Sequence, residues 1–139
     1  MRWVIVFLAV LGIIAASLAL REHYRTEASP CAIDDKWDCG VVNKSQFAVF
    51  AGVPVAAIGI AGYFLLGLLA LIRWRALLLS AALVALIFSL YLTYIEAYTL
   101  QIWCIYCVAS LTVISCMTLL SVISMFSGWM KIKSRPRSE

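Results

Sequence analysis

Four long apolar runs without a single charge constrain this chain more than any other feature. They cover residues 3–20, 53–72, 76–94 and 103–126, and the shortest is 18 residues. At about 1.5 Å per residue, such a helix reaches about 27 Å, close to the roughly 30 Å hydrocarbon core of a bilayer. Composition agrees. Of 139 residues, 65% are hydrophobic and 13% charged, where soluble domains carry about 45–50% and about 25%. So little polar surface cannot cover a soluble core, and so apolar a chain cannot stay disordered in water. The expectation is one all-α integral membrane domain over residues 1–139, a four-transmembrane-helix bundle. Its spans fall at about 3–20, 53–72, 76–97 and 103–126, with an outer loop at 21–52 and a basic tail at 127–139.

Local signals mark the joints. The first run ends at Arg21-Glu22. Ser17-Leu18-Ala19 resembles a small-x-small cleavage site, but the run is longer than a secretory signal core and reads as a span. Ser45–Phe50 reads as a short amphipathic piece leading to Pro54, whose missing N–H suits the first turn of a helix. Gly59, Gly62 and Gly67 are small enough for close helix approach. Arg73-Trp74-Arg75 is a tight link, Thr99-Leu100-Gln101 a short break, and Gly128 the expected end of the last span.

Charge sets the expected orientation. Arg2, Arg73, Arg75, Lys131, Lys133, Arg135 and Arg137 fall on one side of such a bundle; Arg21, Arg25, Lys36 and Lys44, diluted by five acids, fall on the other. The positive-inside rule puts both termini in the cytoplasm and the polar loop outside, in a bacterial inner membrane or an ER membrane. The net charge of +4 is thus an orientation signal rather than a nucleic-acid-binding face. Tyr91, Tyr94, Tyr98 and Trp103 fall towards the outer side, where an interfacial aromatic belt belongs.

Four of the five cysteines share that oxidising side. Cys31 and Cys39 lie in the loop; Cys104 and Cys107 open the fourth span as Cys104-Ile105-Tyr106-Cys107. Cysteines at i and i+3 share a helix face. Unpaired N–H groups at a helix N-terminus favour the thiolate, which is both attacking species and leaving group in disulfide exchange. Such a pair is suited to being made and broken. Two static disulfides and an all-cysteine zinc site remain alternatives. Cys116, nine residues past Cys107, is half a turn off its face and reads as a buried, inert thiol. Glu96 reads as a solvated interfacial acid, and His23 as a solvated loop residue.

Several features in one order resemble the vitamin K epoxide reductase family. They are Cys31-x7-Cys39, Ser45 six residues later, Gly52-Val53-Pro54 opening the second span, Ser89-Leu90-Tyr91-Leu92 in the third, and Trp103-Cys104-Ile105-Tyr106-Cys107-Val108 opening the fourth. The resemblance implies a membrane thiol:quinone oxidoreductase, with a helix bundle around a quinone pocket near the outer surface. The acceptor would be a ubiquinone, menaquinone or vitamin K type quinone, with no metal. It further implies that Cys107 meets the quinone and Cys104 is its partner in the active disulfide. Cys39 would attack Cys104, and Cys31 would resolve the product and exchange with a separate thioredoxin-like protein. Ser45 matches a pocket serine. Phe50, Trp103 and Tyr106 are candidate walls for a flat ring. Animal members hydrogen-bond vitamin K through an asparagine and a tyrosine; the nearest positions here, Ala48 and Leu111, cannot, which favours a plain quinone over the epoxide. A DsbB-type quinone-linked oxidase is the alternative enzyme, but its close cysteine pair belongs in the first outer loop. A non-enzymatic membrane protein with two structural disulfides is the alternative outside that class.

Overall fold

The computed structural model describes residues 1–135; the remaining part of the basic tail expected at 127–139 lies outside the described residues. The helices in chain order are α1 (Arg2–Tyr24), α2 (Cys39–Lys44), α3 (Val55–Leu71), α4 (Arg75–Tyr94) and α5 (Ile105–Lys133). A single π-helical turn, Ile95–Leu100, continues α4. Among the described residues, three helices are long and apolar enough to cross a membrane: α1, α4 with its π turn, and α5. The shorter apolar α3 has 17 residues, about 26 Å of helix.

Small residues set the closest packing. A Cβ on Gly67 would lie 3.3 Å from that of Ala9, and one on Gly59 would lie 3.5 Å from that of Ala16. The Tyr63 ring occupies the place where Gly12 would carry a Cβ. The rising α1 numbers meet falling α3 numbers, so the two helices run antiparallel. Gly62, by contrast, faces open space. Helices α4 and α5 are antiparallel too: Thr118 Oγ1 donates to the Ala82 carbonyl at 3.4 Å, and Arg75 Nη1 to that of Ser124 at 3.4 Å. The core where the helices meet contains Ile5, Ala9, Leu66, Leu69, Ile114 and Met117.

Two helix ends differ from the sequence expectation. Helix α1 runs past Arg21-Glu22 to Tyr24, because Glu22 points inward, 2% exposed, with Arg25 Nη1 3.9 Å from its Oε1. Helix α5 runs through Gly128 to Lys133, where the Arg75 guanidinium lies over the glycine in the space a side chain would need. The segment expected as an outer loop at 21–52 is also more ordered than a loop. It carries α2, a short 3-10 turn at Gln46–Ala48 and β1 (Val49–Phe50), which pairs as a hairpin with β2 (Val53–Pro54); the span expected from residue 53 thus opens on a strand, and Pro54 is the N-cap of α3 rather than in its first turn. The fold is therefore helical with one small hairpin rather than wholly α. Its two-residue turn puts Ala51 at φ 51° and Gly52 at φ 81°, the paired positive values of a type I′ turn.

Candidate active site

The site begins with how the polar segment is held against the bundle. Asp38 caps α2: its Oδ1 accepts from Gly40 N at 2.9 Å and Val41 N at 3.2 Å, satisfying two N–H groups that a helix start leaves open. Two backbone bonds tie this segment to the start of α5. Trp103 N donates to the Lys36 carbonyl at 2.7 Å, and Asp38 N to that of Trp103 at 3.1 Å. The Trp37 and Trp103 rings pack at 6.3 Å between centroids. This clamp sets Cys39, the first residue of α2, beside Cys104, the N-cap of α5.

All four predicted cysteines meet there. Cys31, Cys39 and Cys104 form one buried cluster with Val42, and Cys107 packs against it. Cys39 and Cys104 are both 0% exposed. Cys31 and Cys39 form a disulfide with Cα atoms 5.8 Å apart, and Cys39 N donates to the Cys31 sulfur at 3.0 Å. Cys104 and Cys107 are free thiols. The outer pair is thus oxidised and the inner pair reduced, with the two in contact.

Asn43, on α2, donates through Nδ2 to the Cys39 carbonyl at 2.8 Å and the Cys104 sulfur at 3.4 Å. It therefore bridges the two cysteine pairs. Its own carbonyl receives the His23 Nδ1 proton at 2.5 Å, because a carbonyl can only accept. On the other side, Glu96 Oε2 accepts from Cys104 N at 3.3 Å, and Glu96 and Cys107 line the same cavity.

A cavity of about 750 Å³ opens from this cluster into the bundle, with a predominantly apolar wall. Cys107 and Glu96 line it, as do Ser45, Phe50, Tyr106 and Ala48. Ser45 also donates to the Val42 carbonyl at 2.8 Å at the end of α2. Trp103, expected as a cavity wall, does not line it. Its backbone bonds and ring belong to the clamp on the polar segment, which needs the same interfacial aromatic for a different purpose. Leu111 packs in the bundle core rather than on the cavity.

Three further expectations change. Glu96 is 3% exposed rather than solvated, because the π turn that holds it directs it inward; such single turns recur at functional sites. His23 is half-buried and bonded rather than free in solvent. Cys116 is exposed on the outside of α5, since that helix buries only one side and the opposite face looks outward. Asn43 is the residue that sequence reasoning passed over. The available signal was its place four residues after Cys39 behind the N-cap Asp38, which puts it on the cysteine's own face.

A sequence model of the vitamin K epoxide reductase family matches residues 3–122, a stretch that contains every side chain of this cluster. The chain belongs to the vitamin K epoxide reductase family.

Proposed function

We propose that this protein is a membrane thiol:quinone oxidoreductase that passes electron pairs from a thioredoxin-like dithiol protein through its two cysteine pairs to a quinone. The supporting observation is the juxtaposition of a buried four-sulfur cluster with a large apolar cavity that Cys107 lines. The two chemistries need that arrangement, because protein thiols live in water and quinones in lipid.

The cycle balances from the state described above. The Cys104–Cys107 dithiol loses two electrons to the quinone, forming an inner disulfide and a hydroquinone. The partner's dithiol reduces the Cys31–Cys39 disulfide and leaves oxidised. Cys39, now a thiolate, attacks Cys104, forming a Cys39–Cys104 bond and releasing Cys107. Cys31 then attacks Cys39, restoring the outer disulfide and freeing Cys104. Cys104 suits the role of leaving group because it caps the N-terminus of α5, where unpaired N–H groups favour the thiolate.

In this reading α3 also crosses the membrane, as the second of four spans, both termini are cytoplasmic, and the sulfur cluster faces the periplasm or ER lumen. A plain quinone is favoured over an epoxide, since Ala48 on the cavity wall has no donor and Leu111 is in the core. The test is purified protein with a reduced thioredoxin-like protein and a panel of quinones, followed by quinone absorbance. Reduction of at least one quinone is expected. Cycling of the thiols with every quinone left oxidised would refute the reading.

A further inference from the structure

We infer that Glu96 carries the proton between the Cys107 thiol and the quinone oxygen, which makes it a catalytic residue of the quinone-reducing step; this rests on the quinone reductase reading above. Three observations place it there. Its carboxylate is buried, it lines the cavity that Cys107 also lines, and its Oε2 is anchored by Cys104 N at 3.3 Å. Burial of a carboxylate is costly without a cation or donors. The salt bridges among the described residues join Arg25 to Glu22 and Glu27, and neither includes Glu96. Among the described residues its hydrogen-bond partner is the backbone N–H of Cys104, one of the two reacting cysteines. A side chain kept only for packing needs no charge in that position.

The chemistry requires such a group. When the Cys104 thiolate and Cys107 thiol become a disulfide, two electrons leave for the quinone and the Cys107 proton must leave too. Hydroquinone needs two protons. One passes from Cys107 Sγ to a Glu96 carboxylate oxygen and on to the facing quinone oxygen. The other comes from water, replacing the proton that Cys104 gave up on ionising. Glu96 ends as it began, a carboxylate. The other titratable side chains that line the cavity are less suited. His23 has its Nδ1 proton committed to Asn43, and the Tyr63 hydroxyl is engaged by the carbonyl and hydroxyl of Ser110. The Tyr106 hydroxyl, also on the cavity wall, makes no hydrogen bond to either reacting cysteine among the described residues, whereas Glu96 holds Cys104 N.

The test compares wild type with Glu96→Gln, which keeps the oxygen that accepts from Cys104 N but cannot carry a proton. With dithiothreitol as reductant and a short-chain ubiquinone as acceptor, kcat should fall about a hundredfold, the lower end of general acid–base contributions. KM for the quinone should change little. Exchange between the outer and inner pairs, read by thiol alkylation and gel shift, should slow far less than quinone reduction. Glu96→Asp should recover part of the loss. Quinone reduction near the wild-type rate in Glu96→Gln overturns the inference. An equal loss in exchange and in quinone reduction also does so, since it would mean a merely structural role. If the variants do not fold, single-turnover oxidation of the wild-type inner dithiol by the same quinone decides: slowing in heavy water supports the carrier, and no slowing overturns it. A wild-type protein that reduces no quinone would instead refute the functional reading.

Discussion

The contact between the two cysteine pairs depends on a helix of six residues that could not hold its shape alone. Asp38→Ala removes the acceptor for Gly40 N and Val41 N. Loss of an N-cap costs about 1 kcal/mol, which multiplies the local opening of α2 by about fivefold. Opening uncovers Cys104, which is 0% exposed beneath Cys39 and Val42. Alkylation of Cys104 by N-ethylmaleimide, measured by peptide mass spectrometry with the outer disulfide intact, should therefore run about fivefold faster in Asp38→Ala. Asp38→Asn should stay close to wild type, because asparagine caps as well as aspartate. An unchanged rate in Asp38→Ala would show that the cap does not control the cover. An equal increase in both variants would show that charge, rather than capping, is what Asp38 supplies.

The remaining predictions concern the relay and its frame. Cys104→Ala or Cys107→Ala should stop quinone reduction with any reductant. Cys31→Ala or Cys39→Ala should block the protein partner while a small membrane-permeant dithiol still drives the reaction; all four behaving alike would refute the division of labour. Asn43→Ala removes the N–H donor that joins the Cys39 carbonyl to the Cys104 sulfur, so exchange between the two cysteine pairs should slow. Thiol alkylation and gel shift read that rate, and exchange at the wild-type rate would show that the Asn43 bridge does not position the pairs. Gly12→Ala forces a methyl into the Tyr63 ring. Overpacking of this kind costs about 1–3 kcal/mol, to be read as a lower thermal midpoint in detergent.

Much of this architecture was legible because lipid imposes a simple rule: runs of about 20 apolar residues become helices. The cysteine pairs were legible from spacing and from the motif order around them. What the sequence hid were inward-facing polar groups. Glu22 looks like the polar stop of a span, yet it is buried beside Arg25. Glu96 looks like an interfacial acid, yet a π turn brings it to the sulfurs, and a regular 3.6-residue period does not contain that rotation. Trp103 could not be assigned either, since an interfacial tryptophan has the same sequence signature whether it anchors a loop or walls a cavity. Cys116 shows the converse error. Its half-turn offset from Cys107 was correct, but in a membrane helix the opposite face can meet lipid rather than core.

The relay is tested most directly by trapping its central bond. With Cys31 and Cys107 both replaced by alanine, the resolving partners of Cys39 and Cys104 are gone and the two remaining sulfurs should oxidise to each other. Non-reducing peptide mapping should then find Cys39 linked to Cys104 within one chain. Recovery of both as free thiols under oxidant, or linkage only between separate chains, would contradict the account.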